Sequence, residues 1–225
     1  VGAGSAGCVM AHRLSEDGKN SVCVLEYGGS DRGPFIQMPS ALSYPMNMKL
    51  YNWGFETDPE PGLGGRRLAT PRGKVVGGSS STNAMAYVRG HPADYARWAA
   101  GGLPSWDFAQ VLPYFRRMER WEDGADAWRG GDGPLTVQRC RYQDPLNDAF
   151  REAAIALSYP WREDYNGAAQ EGVGYFQRTI DQGWRMSTSR TFLWPVKGRA
   201  NLDIRIHAQA TQLVLEGRRA RGVRY

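Results

Sequence analysis

The chain has 225 residues, is 41% hydrophobic and carries a formal net charge of +5, mainly through arginine. That length allows one large domain or two small ones, and no run is long enough for a membrane-spanning helix. Three scattered cysteines, Cys8, Cys23 and Cys140, form neither a disulfide framework nor a zinc pattern, and the dispersed arginines carry no nucleic-acid motif.

The chain opens on Val1-Gly-Ala-Gly-Ser-Ala-Gly7, a G-x-G-x-x-G pattern at Gly2, Gly4 and Gly7. Such a loop turns a strand sharply into a helix and seats a pyrophosphate on the helix N-terminus. Gly2 allows the turn, Gly4 lets backbone approach the phosphates, and Gly7 lets the helix pack close. Ala6, Val9, Met10 and Leu14 recur at near-helical spacing, with Ser5 placed to help the helix start. A turn at Asp17-Gly18-Lys19-Asn20 leads to Val22-Cys23-Val24-Leu25, an apolar run expected of a strand buried on both faces. Glu26, about 20 residues past the glycines, stands where an acid can accept from both hydroxyls of an adenosine ribose. An ordinary glycine loop and a nicotinamide-dinucleotide site are the competing readings of this motif taken alone.

Gly28-Gly29 permits close backbone approach, either in a plain turn or against adenine or ribose. The span from Arg32 to Leu68 is irregular and proline-rich, and its aromatics Tyr44, Tyr51, Trp53 and Phe55 read as packing residues. The next informative block is Gly73-Lys-Val-Val-Gly-Gly-Ser-Ser-Ser-Thr-Asn83, a glycine pair followed by four hydroxyl residues and an amide. It offers backbone N–H groups and small donors at short range, with Arg72 and Lys74 nearby. A Ser-rich linker is the plainer alternative.

Together, Gly2–Gly7, Val24-Leu-Glu-Tyr-Gly-Gly29 and the Gly73–Asn83 block resemble the glucose–methanol–choline (GMC) family of flavoprotein oxidoreductases. The continuations Tyr87–Trp98, Asn166–Gly174 and Arg185–Leu193 are similar to its choline-dehydrogenase-like branch, so the likeness covers essentially the whole chain as an N-terminal fragment. The resemblance implies FAD. Gly2, Gly4, Ser5, Ala6 and Gly7 would face the pyrophosphate and Glu26 the ribose. Val75, Gly78, Ser79, Asn83, Ala84, Met85 and Ala86 would line the diphosphate and flavin, and backbone around Ala210 would meet the adenine. Thr82 stands where some family members carry a flavin-linked histidine, so FAD is expected to be held non-covalently.

Past Gly90 the character changes. Ala93–Ala99 has helical spacing. Asp107-Phe-Ala-Gln110 reads as a capping box opening a second helix, apolar at Val111, Leu112, Phe115 and Met118 and broken or bent at Pro113. Residues 121–133 read as a polar loop, and Leu135–Arg139 alternates like a half-buried strand. Asp144 caps an amphipathic helix with Pro145 in its first turn, and Leu146, Ala149, Phe150, Ala153 and Leu157 are its expected buried stripe. Tyr175–Ile180 reads as a strand, antiparallel to the earlier one. Leu202–Ile206 reads as a further strand, and residues 211–225 as a hairpin.

The expected fold is α/β, with α+β character in the substrate part. It is a Rossmann-like FAD-binding domain with an inserted antiparallel-sheet-plus-helices region, truncated at both ends. Residues 1–90 and 191–225 fall in the FAD-binding part and 91–190 in the insertion. His12, His91 and His207 have no triad-like partners, so no catalytic residue is assigned and no metal is expected. The resemblance puts the catalytic histidine beyond Tyr225. The expected activity is FAD-dependent oxidation of a small primary alcohol such as choline. The electron acceptor (oxygen or a respiratory carrier) and the oligomeric state stay open, no nucleic-acid partner is expected, and the location is cytoplasmic or peripheral to a membrane. An NAD-dependent dehydrogenase and a non-catalytic FAD-binding remnant are the alternatives.

Overall fold

Gly4, not Ser5, is the N-cap of the first helix, and no side chain closes that helix end. Ser5 already lies inside the first turn, so it does not play the capping part its hydroxyl suggested. The structure, a computed structural model, describes residues Val1–Tyr225. In chain order the helices are α1 (Ser5–Leu14), α2 (Pro34–Gln37), α3 (Ser43–Asn47), α4 (Pro92–Ala100), α5 (Phe108–Met118) and α6 (Pro145–Ala156). The strands are β1 (Val22–Leu25), β2 (Glu119–Trp121), β3 (Leu135–Val137), β4 (Ile180–Asp181), β5 (Trp184–Arg185), β6 (Leu202–Arg205), β7 (Gln212–Glu216) and β8 (Arg219–Arg224). The chain forms two compact units, one of Val1–Met85 with Gln182–Tyr225 and one of Ala86–Asp181. No helix is long and apolar enough to cross a membrane.

In the first unit β1 and β6 pair in parallel, Val22 opposite Leu202 and Leu25 opposite Arg205. Burial is confined to the second half of β1, at Val24 and Leu25, while Cys23 is exposed. The strand is therefore not covered on both faces along its length. α1 packs on β1 and on a π-helical turn at Ser189–Leu193, burying Cys8, Ala11, Phe192 and Leu193. Full burial of Phe192 and of Leu193 contributes about 1.5–3 kcal/mol each. β7 and β8 form the antiparallel hairpin read from the sequence, turning at Gly217 with φ +58°.

The aromatics of the irregular stretch are not core. Tyr44, Trp53 and Phe55 are exposed, and Tyr27, Trp53 and Phe55 stack in series with ring centroids 4.9 and 5.7 Å apart. Stacking satisfies their flat faces without requiring burial.

In the second unit His91 Nδ1 accepts from the Ala93 N–H at 3.1 Å and the Asp94 carboxylate accepts from the His91 N–H, a capping box that opens α4 at Pro92. Asp107 caps α5 through the Ala109 N–H, without the reciprocal bond from Gln110 that a capping box requires, and Asp144 caps α6 as its spacing suggests. α5 runs past Pro113 to Met118 instead of breaking there. Two expectations fail. Leu135–Val137 is buried at every position, not at alternate ones, and pairs in parallel with β2. The apolar stripe of α6 faces solvent: Leu146 is 77% exposed, Phe150 68% and Leu157 73%, and only Ala154 is buried. Apolar spacing fixes which face is apolar, not whether anything covers it. Residues 175–179 form no named strand: Arg178 makes isolated bridges antiparallel to Gln138 and to Ala86, and Ile180 opens β4.

This unit is held by an ionic cluster. Glu119, fully buried, accepts from Arg89 at 2.9 Å and from Arg129 at 2.8 Å, and Arg129 also donates to Asp164 and Gln177. Two cations and two carboxylates balance, so the burial carries no net charge.

Candidate functional site

The sharp turn at the start of the first unit is made by Gly2, whose φ is +82° and whose N–H donates to Leu25 O at 2.7 Å. A side chain on Gly7 would overlap Gly2 O, so the helix sits against the turn only because Gly7 has none. Between them Gly4 is open: a Cβ there would meet nothing within 4 Å. The first bond of α1 is from Cys8 N–H to Gly4 O at 2.9 Å, and its first turn holds no acidic residue. The opening amides of a ten-residue helix are thus left for an anion.

Glu26 is buried at the end of β1. Its Oε2 accepts from the Ala3 N–H and its Oε1 from the Gly28 N–H, both at 2.8 Å. Each oxygen keeps further acceptor capacity, so the carboxylate both pins the glycine turn and can take hydroxyl donors. The two glycines after it answer a need of the chain itself. Gly28 lies against the Lys74 carbonyl with no room for a Cβ, and Gly29 bridges to Val75. Downstream of β6, the His207 N–H donates to Gly28 O at 3.1 Å and the Ala208 N–H to Glu26 O at 2.8 Å, which brings the stretch leading to Ala210 beside Glu26.

The serine block arrives on the other side of the turn. Gly77, at φ +90°, donates its N–H to Ala3 O at 2.6 Å. Gly78, at φ +55°, packs so closely that an added Cβ would lie 2.8 Å from Gly4 Cα. Two glycine turns separated by more than seventy residues of sequence therefore touch through backbone. Most hydroxyls of the block point inward. Ser81 Oγ donates to Val76 O at 2.8 Å, and Ser80 Oγ donates to Gly77 O and meets Thr188 Oγ1 at 2.9 Å. Ser79 Oγ accepts from the Gly73 N–H at 3.1 Å, which leaves its proton free to donate elsewhere. The sequence suggested a loop of ligand-facing donors; the structure spends most of them on shaping the turn.

Asn83 and Ala84 are exposed beyond the block, and Asn83 Oδ1 accepts from the Met85 N–H at 3.0 Å with Met85 at φ +59°. Val75 is fully buried and contributes to the core and to the bridge with Gly29. Ala86 belongs to the second unit, where it pairs with Arg178. The structure thus joins Gly2, Gly4, Gly7, Glu26, Val75, Gly78 and Ser79 in one cluster, continues it through Asn83–Met85, and attaches the Ala210 stretch through Ala208. Sequence reasoning gave no role to Arg185 and Thr188, whose side chains hold Ser80 and Asn83 in shape. Only their place in the Arg185–Leu193 segment pointed to them. Beneath the turn, burial pushes the Cys8 thiol up to about 11 and raises the Asp31 carboxyl.

An uncapped helix end, a strand-end glutamate and a second glycine turn packed on the first define an α/β nucleotide-binding unit. The chain belongs to the GMC oxidoreductase family, whose model matches residues 1–225. It is 53% identical over 223 residues to oxygen-dependent choline dehydrogenases of Brucella anthropi and of Rhizobium etli, covering 99% of this chain and 40% of each relative. The chain therefore spans about two fifths of the length of the curated relatives it matches. Among solved structures it is similar to pyridoxine 4-oxidase from Mesorbium loti, at 34% identity and a TM-score of 0.93, covering 99% of this chain and 44% of that one. A formate oxidase of Aspergillus oryzae matches at 28% identity and a TM-score of 0.85, covering 99% and 40%.

FAD is the cofactor of this domain. The residues present fit a nucleotide diphosphate: the space beside Gly4 is open, the helix end is uncapped, and no acid stands in the first turn to repel phosphate.

Proposed function

We propose that the protein is an FAD-dependent oxidoreductase acting on the CH–OH group of a small primary alcohol, with choline or a near relative first among substrates. The observation that carries this reading is the contact of Gly78 on Gly4 beside an open, uncapped helix end. The amides of Ser5, Ala6 and Gly7 would hold the pyrophosphate, with Gly2 and Gly4 leaving room for it. Glu26 would take the ribose hydroxyls, Gly78 and Ser79 would close over the diphosphate, and Asn83-Ala84-Met85-Ala86 would face the flavin. The backbone near Ala210 would receive the adenine. The first unit on this reading carries the cofactor and the second contributes to the substrate side.

The flavin supplies hydride acceptance. What residues 1–225 do is bind it, fix its orientation and keep both loops closed on it. Thr82 has no imidazole and is buried, its hydroxyl turned toward Ser79 O at 3.5 Å, which supports a non-covalent hold. The base that takes the alcohol proton lies outside these residues. His91 is committed to capping α4 through Nδ1, and His12 packs edge-on against Phe192 with its pKa lowered by burial. Both roles are structural.

Replacing Gly4 with valine tests the reading. Its φ of −73° and ψ of −170° suit a β-branched residue, so the fold should tolerate the change while the side chain fills the phosphate space. The parent should purify yellow and release its flavin on acid precipitation, and the variant should purify colourless. A variant that still retains one FAD per chain would overturn the assignment of the helix end, and a parent that binds nicotinamide dinucleotide and no flavin would overturn the class.

A further inference from the structure

Arg185 is fully buried, yet it makes no ion pair. Its Nε donates to Ile36 O at 2.8 Å. Its Nη1 donates to Asn83 O at 2.6 Å, to Asn83 Oδ1 at 2.9 Å and, more weakly, to Ser80 O at 3.3 Å. Its Nη2 is buried with no partner at all. Every acceptor is a neutral carbonyl. Burial is the sole influence on its titration and draws it down to about 10, still cationic at neutral pH.

This is costly. A guanidinium taken from water without a carboxylate loses solvation that neutral carbonyls return only in part. The second unit shows the ordinary solution, since buried Arg89 and Arg129 both bond Glu119. Holding Ser80 and Asn83 in place would be met as well by a neutral donor, as Thr188 does for Ser80. What a neutral donor cannot supply is charge. The unpaired cation stands directly behind Asn83, whose side chain also receives the Met85 N–H.

We propose that Arg185 is a positioning residue for the Ser80–Asn83 turn and also a fixed positive charge behind it, favouring the anionic two-electron-reduced form of bound FAD over the oxidised form. The inference rests on the reading of Asn83–Ala86 as the flavin-facing segment. A cation near the ring system is one of the few means by which a protein shifts a flavin's electronic balance. The serine turn would then serve two ends, with its outer side shaping the cofactor site and its inner side clamping a charge that has no other outlet.

The test uses purified full-length protein with its FAD and reads the ratio of affinities for reduced and oxidised flavin from the midpoint potential of the bound cofactor. Arg185→Met removes the charge, Arg185→Lys keeps it without the fork, and Asn83→Asp sets a carboxylate against it. The ratio should fall at least tenfold in Arg185→Met and in Asn83→Asp, about 30 mV for a two-electron couple. It should stay within threefold of the parent in Arg185→Lys. A purely structural arginine would lower stability and FAD retention in both arginine variants but leave the ratio unmoved, and an unmoved ratio in Arg185→Met overturns the proposal. If that variant does not fold, an unmoved ratio in Asn83→Asp overturns it. Equal falls in the Lys and Met variants also refute the charge. Failure of the parent to bind FAD would instead overturn the cofactor reading itself, and is seen before any variant is compared.

Discussion

Replacing Gly78 with alanine tests whether the two glycine turns must touch. The new Cβ would lie 2.8 Å from Gly4 Cα and 3.7 Å from Gly4 C. Its neighbour is backbone, and Ala3 beside it is tied on one side to Glu26 and on the other to Gly77. It cannot swing aside as a side-chain tip would. The φ of +55° adds about 1–2 kcal/mol for any L-residue, and overpacking against a fixed neighbour about 1–3 kcal/mol. The expected loss is about 2–5 kcal/mol of folding stability. Gly4→Ala is the contrast, since its Cβ meets nothing within 4 Å and its φ is −73°. Its cost to the fold is the weaker N-cap preference of alanine, under about 1 kcal/mol. It should nonetheless weaken FAD about 100-fold, the loss of one or two charge-assisted bonds from the helix end. Urea unfolding of the apoprotein gives the first quantity and quenching of flavin fluorescence on titration the second. A Gly78→Ala protein as stable as its parent would refute the contact, and an undiminished FAD affinity in Gly4→Ala would refute the place of the phosphate.

Glu26→Gln should cost about 1–3 kcal/mol even without cofactor, because an amide NH2 would then face the N–H of Ala3 or of Gly28; urea unfolding of the apoprotein reads it. Asp164 is held below the usual aspartate range: burial raises its carboxyl, but the Gln177 amide and the Arg129 guanidinium together outweigh that. A depressed folded-state pKa contributes stability that is complete above the unfolded value and is lost as pH falls through the folded one. Melting temperatures measured from neutrality downward should therefore fall below about pH 4, the ordinary aspartate value, and Asp164→Asn should be less stable than the parent at neutral pH, with the gap closing in acid. Cys8, fully buried with its thiol pushed up to about 11, should resist a disulfide reagent at pH 7 that labels exposed Cys23 at once, reacting only on unfolding.

What was legible in the sequence was local. Gly2, Gly4 and Gly7, the helix behind them, the strand ending at Glu26 and the caps at Asp107 and Asp144 all depend on neighbours a few residues away. The failures share a different origin. α6 carries an apolar stripe, but whether it is covered depends on partners elsewhere, and here Leu146 and Phe150 face solvent. Ser80 and Ser81 looked like ligand donors until Thr188 and the chain's own carbonyls were seen to engage them. Gly28 and Gly29 are glycines because the Lys74–Val75 backbone runs against them. The clamp of Arg185 on Asn83 spans 102 positions, and no spacing rule reaches that far.

The peptide groups flanking Ala3 receive two fastenings, the Glu26 carboxylate on the nitrogen side and the Gly77 amide on the carbonyl side. Three stretches of chain, separate in sequence, must come together before both fastenings are closed. A cavity assembled this way has no half-built form: it is present when the first unit has folded through and absent otherwise. A ligand seated there adds its whole binding free energy to that cooperative state. Flavin capture would then double as a clock for folding, its colour or quenched fluorescence marking the moment the last of the three strands of the knot is drawn tight.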